Sequence, residues 1–272
     1  MTAPTLGQRA WVEQIMGLPI SIHLRGDDTR GAEAGERVAA VFADLRRVDE
    51  VLSPYREDSD LSRWDRRELH LADADPMLAD VVALCERARE LTGGWFDPRG
   101  LPGPHGAGPR YDPSGLVKGW AVERAARHLA GLDGHGWCVN AGGDIVLHAP
   151  QHQPAWRVGI EHPADPSRVM RVLELRAGAV ATSGSTRRGA HIVDPRTGRP
   201  ATAVRSVTVV GPTLLWADVY ATAAVARGCA VPAWLEDLDG YEALTVTAGG
   251  LLHTTSGLRD LRSPRRPGDV AS

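Results

Sequence analysis

The amino-acid sequence predicts an α+β fold, in which mixed or antiparallel sheets carry flanking helices. Helical periodicity dominates residues 31–132, whereas short alternating runs typical of strands dominate from residue 137 onward. A regular alternation of strands and helices would instead indicate a doubly wound parallel sheet. The 272 residues are 43% hydrophobic and 24% charged, which is the composition of a folded globular chain. The segregated pattern therefore favours α+β.

The N-terminal part is predicted to contain a strand region followed by two amphipathic helices. Apolar residues alternate over residues 11–24, with a turn at residues 17–19. Apolar positions then recur every three or four residues over 31–52 and again over 77–92, where Gly93 and Gly94 end the second helix. Each helix has one apolar face, so we expect both to pack against a sheet.

The rest of the chain is predicted to hold two further helices and most of the strands. The Gly- and Pro-rich residues 100–111 form a loop, and helices follow within residues 114–132, starting near Leu116, and at residues 213–228. We expect one domain over residues 1–262 and a disordered Pro- and Arg-rich tail at 263–272. The predicted strands are residues 137–140, 145–149, 156–160, 169–175, 179–182, 190–193 and 206–210, with a hairpin of 243–247 and 251–254.

Charge and apolar patterning exclude several classes of protein. The net charge of -3 provides no basic surface for nucleic acid. The longest apolar-rich stretch, residues 214–235, contains Asp218 and Arg227, so we expect no membrane span. Residues 1–26 lack the apolar core of a signal peptide and a cysteine for lipid attachment, and the three cysteines form no CxxC pair. We therefore expect a cytoplasmic protein without a disulfide framework.

Lys118 is the one lysine among 31 basic residues, and the others are arginines. An ammonium is a compact point charge, whereas a guanidinium is a broad planar fork, so the two are not interchangeable in a tight site. The strong bias toward arginine therefore indicates that position 118 requires a lysine for function. Chance is the alternative explanation.

Asp218 and Thr222 lie four residues apart on the predicted helix at residues 213–228, so their side chains share one face. Small alanines surround them, and a carboxylate on an apolar helix needs a partner. Two hard oxygens suit Mg²⁺, which takes one or two protein carboxylates and keeps positions for phosphates and waters; Mn²⁺ would suit them as well. The alternative is a surface Asp beside a Thr that bonds to its own backbone.

The segment around Asp112, Ser114 and Lys118 predicts an anion site at the start of a helix. A turn that contains Gly115 leads into the helix, whose first N–H groups and positive dipole end favour a phosphate. The GxxxxGK[ST] string of a P-loop is absent from the sequence. A helix start that is simply capped by Asp112 or Ser114 is the alternative, and it is compatible with phosphate binding.

Two further segments carry residues that could take part in catalysis or ligand binding. His191 precedes an Asp194–Pro195 turn and could act as a general base, although an isolated His is more often structural or solvent-exposed. Trp95, Phe96 and Asp97 follow two glycines, and aromatic rings beside a carboxylate suit a flat heterocycle. Packing of Phe96 in the core is the alternative for the second segment.

Taken together and in order, these strings resemble the ApbE-type family of FAD:protein FMN transferases. The resemblance spans roughly residues 11–255, and its strength lies in the number of strings that follow in register. The matching strings are MG at 16–17, SPY at 53–55, DSDLSR at 58–63, GWFDP at 94–98, DPSGLVKG at 112–119, NAGGD at 140–144, TSG at 182–184, HIVDPRTG at 191–198 and ADVYAT at 217–222.

The resemblance implies a fold, a reaction and a set of site residues. The fold has two intimately packed lobes with the flavin site between them. The family moves the FMN half of FAD onto a Thr or Ser hydroxyl of a partner flavoprotein and releases AMP. Asp218 and Thr222 would bind Mg²⁺ by their side chains and Gly115 by its carbonyl, and His191 would be the base. The implied FAD-binding residues are Met16, Tyr55, Trp95, Phe96, Asp97, Asp112 and Lys118.

Two other functions fit the same residues. Water could replace the protein hydroxyl, which would make the chain a Mg²⁺-dependent FAD pyrophosphatase. A protein that only binds or stores FAD is the second alternative. A simple binder needs neither the Asp218–Thr222 pair nor His191, so the sequence favours an enzyme.

Overall fold

The structure, a computed structural model, describes residues 6–99, 101, 108–184, 192–228 and 231–260. Its centre is an eight-stranded sheet in which every pair of neighbours is antiparallel. The strands lie in the order β1 (Gly7–Ile15), β2 (Leu18–Gly26), β3 (Gly136–Ala141), β4 (Asp144–His148), β7 (Ala177–Gly184), β10 (Val204–Gly211), β11 (Glu242–Thr247) and β12 (Leu252–Thr254).

Two hairpins, seven α-helices and two short 3₁₀-helices, Leu71–Asp73 and Arg127–Leu129, complete the described elements. The hairpins are β5 (Trp156–His162) with β6 (Asp165–Leu175), and β8 (Val193–Asp194) with β9 (Arg199–Pro200). The helices are α1 (Ala32–Leu52), α2 (Asp60–Asp65), α3 (Pro76–Leu91), α4 (Ser114–Ala126), α5 (Leu214–Arg227), α6 (Val231–Glu236) and α7 (Ser256–Asp260). This arrangement confirms the α+β prediction.

The two faces of the large sheet pack against different layers. Side chains such as Ile22 and Val139 join the larger core, in which α1, α3, α4 and α5 bury their apolar faces. Side chains such as Leu147 and Val180 point to the opposite face, where the β5–β6 hairpin and Leu258 cover them. Successive strand residues alternate between these cores, as the period of a strand requires.

The first turn differs from the prediction. The chain reverses at Met16–Gly17, where both residues have positive φ, rather than at residues 17–19, and Pro19 lies inside β2. Two residues with positive φ form the two-residue turn whose twist matches that of antiparallel strands. Pro19 is tolerated in the strand because it pairs with Gln14 at the hairpin end.

The start of α4 also differs from the prediction. The helix begins at Ser114 rather than near Leu116, and its N-cap residue is Pro113, which has no side-chain capping bond. Asp112 instead accepts a hydrogen bond from the Ser114 N–H at 3.0 Å, so it satisfies a terminal donor from one residue before the cap. A predicted strand at residues 190–193 reduces, within the described residues, to β8 at Val193–Asp194.

Of the remaining predictions, those on the helices are confirmed, whereas those on the domain and on the location of the protein stay predictions. Helices at residues 31–52, 77–92 and 213–228 are confirmed to within a residue or two at each end. No helix among the described residues is long and apolar enough to cross a bilayer. The single domain over residues 1–262 and the location of the protein in the cell stay predictions, and the tail at 263–272 lies outside the described residues.

Candidate active site

Helices α4 and α5 cross at unusually close range because α4 presents glycines at the contact. A Cβ on Gly119 would lie 2.7 Å from the Leu214 carbonyl oxygen, and one on Gly115 would lie 3.2 Å from Thr222 Oγ1. Both glycines are therefore required for this approach. The crossing brings Gly115, Asp218 and Thr222 together, as the predicted metal site requires.

Asp218 is completely buried at this crossing. Its Oδ2 accepts a hydrogen bond from the Gly119 N–H at 3.2 Å, the donor that a regular helix would pair with the Gly115 carbonyl. Thr222 Oγ1 lies 3.0 Å from Ser183 Oγ, so the hydroxyl of α5 is linked to the end of β7. The pair is therefore not on the protein surface, and Thr222 has a hydroxyl partner on another element.

Lys118 forms a buried charge cluster with two carboxylates. Its Nζ makes an ion pair with Asp144 and lies 3.5 Å from Asp218 Oδ1, and the two Asp residues are 1% and 0% exposed. Asp144 Oδ1 also accepts the Thr182 N–H at 3.0 Å, which ties β4 to β7. Two carboxylates and one ammonium carry a formal charge of minus one when all three are ionised, which favours binding of a further cation.

Burial raises the pKa of Asp218, and repulsion from Asp144 adds to this effect although the Lys118 ammonium opposes it. Asp218 Oδ1 accepts no well-formed hydrogen bond among the described residues. Two buried carboxylates are costly unless positive charge compensates both, and the single Lys118 ammonium compensates only one of them. A divalent cation with oxygen ligands supplies such positive charge, so the residues present fit Mg²⁺ or Mn²⁺.

The set of oxygen donors at this site is small among the residues that the structure describes. Within the described residues, no group of three or more of these side chains is arranged to hold a metal. Mg²⁺ usually takes one or two protein carboxylates and completes its octahedron with waters and substrate phosphates. The cluster therefore suits a cation that is held jointly with a phosphorylated substrate.

A first cavity of about 500 Å³ opens beside this cluster. It is lined by the β1–β2 turn, the C-terminal half of α1, residues 53–56 and the start of α4. Of the predicted FAD-binding residues, Met16, Tyr55 and Lys118 line it. The Tyr55 ring is 72% exposed, and the Arg110 guanidinium carbon lies 4.9 Å from its centroid, so a broad aromatic surface is open to a ligand.

Met16 has a φ of 57°, in the left-handed region that side chains other than Gly, Asn and Asp rarely adopt. Such a conformation costs roughly 1–2 kcal/mol. It places the thioether on the cavity wall, and strained residues are concentrated at ligand sites. The backbone of Met16 is therefore consistent with its predicted role.

The other predicted FAD-binding residues lie outside this cavity. Phe96 is 4% exposed and meets Gly115 in the core, as the packing alternative required. Burial raises the pKa of Asp97, but hydrogen bonds from Arg99 outweigh this and hold the pKa below its usual value. Trp95 lies under the Arg196 guanidinium, 4.1 Å from its ring centroid.

Asp112 and His191 complete the set of predicted residues. Asp112 bonds through one oxygen to the Ser114 N–H and through the other to Arg110 at 2.7 Å, and Arg110 also donates to the Pro54 carbonyl at 2.6 Å. Asp112 therefore positions the Arg110 side chain near Tyr55. His191 lies outside the described residues.

A second cavity of about 430 Å³ shares Lys118 with the first. Its walls are the β5 strand, the turn at Gly142–Gly143, and parts of β4, β7 and β10. Lys118 lines both cavities, and Ser183, the partner of Thr222, lines the second. The charge cluster therefore lies where the two cavities meet.

Sequence reasoning missed Asp144, Ser183 and Arg110 as parts of this site. Asp144 and Ser183 lie in strings that carry the family resemblance, NAGGD and TSG, but neither residue was assigned a role. The role of the Asp144 carboxylate becomes visible only in the folded chain, where it pairs with Lys118. Arg110 has no signal in a sequence with so many arginines.

Comparison with known proteins assigns the chain to a class. The model of the ApbE family matches residues 16–102 and 105–245, which is most of the chain. The chain therefore belongs to the ApbE family.

Curated relatives and solved structures make the comparison more specific. A FAD:protein FMN transferase of Vibrio cholerae is 36% identical over 128 residues, which cover 43% of this chain and 38% of that protein. One from Klebsiella pneumoniae is 27% identical and covers 78% of this chain and 77% of that protein. The crystal structure of the ApbE protein from Thermotoga maritima has a TM-score of 0.81 at 22% identity, over 94% of this chain and 99% of that one. This last likeness shows the fold.

Proposed function

We propose that this chain is a flavinyltransferase that moves the FMN moiety of FAD onto a Thr or Ser hydroxyl of a partner flavoprotein and releases AMP. Its membership of the ApbE family and the names of its curated relatives support flavin transfer from FAD to protein. The observation that carries the proposal is the buried Lys118–Asp144–Asp218 cluster at the meeting point of two cavities.

The proposed reaction makes one phosphorus–oxygen bond and breaks another. The acceptor oxygen bonds to the FMN phosphorus, the bond from this phosphorus to the oxygen of AMP breaks, and AMP leaves with that oxygen. The hydroxyl proton passes to a base, for which His191 is the candidate. Catalysis of such a transfer depends mainly on positioning and on stabilisation of phosphate charge.

Residues of this chain both position the FAD and stabilise the charge of its phosphates. Tyr55 offers a ring on which the flavin can stack, with Met16 on the same wall of the first cavity. The Lys118 ammonium provides a fixed positive charge beside the pyrophosphate. We assign Phe96 and Asp112 to the support of this site, since Phe96 meets Gly115 and Asp112 holds Arg110 beside Tyr55. Trp95 and Asp97, which contact Arg196 and Arg99, stay predicted FAD-binding residues.

Asp218, Thr222 and the Gly115 carbonyl would hold the divalent cation, Mg²⁺ or Mn²⁺. When bound, the cation neutralises phosphate oxygens and stabilises the charge on the departing AMP. Asp144 would keep Lys118 in place beside it.

One incubation separates this function from its two alternatives. The chain is mixed with FAD, Mg²⁺ and a purified acceptor flavoprotein that the Vibrio cholerae relative labels under the same conditions. Flavin fluorescence on the denatured acceptor band, together with free AMP, is the expected result. AMP and free FMN without a labelled band would indicate a pyrophosphatase, and unchanged FAD would indicate a binding protein. EDTA in a parallel incubation is expected to stop labelling, and Mg²⁺ to restore it.

A further inference from the structure

The second cavity runs along the edge of strand β5. Residues 158–164 line it consecutively, although successive side chains of a strand point to opposite faces. The regularly paired residues Val158–Ile160 all border it, whereas the pairing with β6 shifts register at residues 160–162 and residues 163–164 form the turn. A cavity that borders successive residues of a regular strand faces the backbone edge of the strand rather than one of its faces. Among the described strands, β5 has β6 as its one partner, so this edge has no neighbouring strand in the described part of the chain.

A free strand edge presents N–H and C=O groups that pair with an added extended chain. The opposite wall favours the close approach of such a chain, because Gly142 and Gly143 form the β3–β4 turn there and Gly184 ends β7. Five residues of β5, Val158–His162, border the cavity, which corresponds to about 16 Å of extended peptide.

The charge of this cavity does not suit a phosphate group. Among its described lining residues, Lys118 is the one Lys or Arg, and Glu161 adds a carboxylate. A neutral polypeptide segment therefore fits the cavity better than a nucleotide does.

The second cavity also borders the charge cluster at Lys118. Ser183 lines it and lies 3.0 Å from the Thr222 hydroxyl, and Lys118 borders both cavities. We propose that the acceptor flavoprotein docks an extended segment against the β5 edge, as an added strand, so that its Thr or Ser hydroxyl reaches the pyrophosphate at Lys118. The flavin donor and the protein acceptor then enter through the two cavities that share Lys118. This assignment rests on the proposed transferase function.

The test compares two tryptophan variants of the same hairpin. Ala164 lies exposed in the β5–β6 turn and lines the cavity, whereas Val169 lies exposed on the neighbouring strand β6 and does not line it. Transfer kinetics with the acceptor flavoprotein defined above, and FAD titrations followed by flavin fluorescence, are measured for both. We expect Ala164→Trp to raise the KM for the acceptor about tenfold or more and to leave the FAD dissociation constant unchanged. We expect Val169→Trp to change neither quantity.

Hydrogen exchange provides a second measurement on the unaltered chain. Addition of the acceptor to the FAD-loaded protein is expected to slow exchange at the amides of β5 and to leave those in the middle of β6 unchanged. Unprotected β5 amides would overturn the docking site, and so would weaker FAD binding by Ala164→Trp, since that result assigns the cavity to the donor. A wild-type chain that labels no acceptor would instead overturn the transferase function itself, and the docking site with it.

Discussion

The two cavities beside Lys118 are similar in size but are built from different parts of the chain. Side chains that belong to recognisable strings, such as Met16 and Tyr55, form the first cavity. The second is formed largely by a strand edge and glycine turns. Recognition by side chains restricts residue identity, whereas recognition by backbone restricts only shape. The strings NAGGD and TSG border the second cavity as well, but Lys118 is the one described lining residue there with a predicted role, so the sequence predicts the use of the first cavity and not that of the second.

The charge cluster between the cavities differs from both. Its members come from α4, β4 and α5, and the proposed function assigns them to the phosphate groups rather than to the flavin or the acceptor. Substitutions should therefore separate into three kinds: those in the first cavity change FAD affinity, those in the cluster change the transfer rate, and those in the second cavity change acceptor affinity.

The largest expected effect is that of Asp218→Asn. The variant keeps the shape of the side chain but removes the charge that would hold the cation, so Mg²⁺-dependent transfer should fall by about 10³-fold or more. FAD affinity should fall much less. Single-turnover labelling of the acceptor measures the rate, and Asp80→Asn, on an exposed position of α3, is the matched control. Full Mg²⁺-dependent activity of the Asp218 variant would remove the metal assignment.

His191→Ala is expected to slow transfer by about 10²–10⁴-fold, because a general base contributes an acceleration of this size. The rate of the wild type should rise with pH as the imidazole loses its proton, and the variant should lose this dependence. The pH profile of single-turnover transfer checks both. His23→Ala, on an exposed position of β2, is the control; a near-normal rate for the His191 variant would assign that residue a structural role.

Lys118→Arg should reduce the transfer rate by about 10–100-fold while the chain stays folded. The ammonium lies between two buried carboxylates, and the wider guanidinium does not fit this position without moving one of them. Comparison of kcat with the FAD dissociation constant distinguishes an effect on the cluster from one on the first cavity. An enzyme that is indifferent to the change would show that the single lysine arose by chance.

Tyr55→Ala has the smallest expected effect of the series. Loss of the exposed ring should weaken FAD binding by about tenfold, since stacking on an aromatic side chain contributes on the order of 1 kcal/mol. Tyr55→Phe keeps the ring and should bind FAD nearly as well as the wild type. Fluorescence titration with FAD measures both variants. If the alanine variant changed the acceptor KM instead, the assignment of the two cavities would have to be reversed.

Much of the fold follows from local pattern. The periodicity of residues 31–52 and 77–92 determines α1 and α3, because an apolar stripe repeated every 3.6 residues is buried only when the segment is helical. The pair Asp218 and Thr222 was likewise predictable, since both lie on one face of a single helix.

Other features required the folded chain. The turn at Met16–Gly17 depends on a positive φ at a methionine, which local propensity argues against. The start of α4 depends on Asp112 bonding to Ser114 while Arg110 holds its other oxygen. Such contacts depend on neighbouring parts of the folded chain rather than on the local sequence of the segment.

The sequence by itself determined the α+β class, the long helices α1, α3 and α5, and three residues that line the first cavity, Met16, Tyr55 and Lys118, because each depends on spacing within one segment or on a short string. Only the tertiary structure decided that Lys118 lies between Asp144 and Asp218 and that two cavities meet there. Those residues come from separate elements, and the close crossing of α4 and α5 that gathers them depends on two glycines whose small size has meaning only against a neighbouring helix.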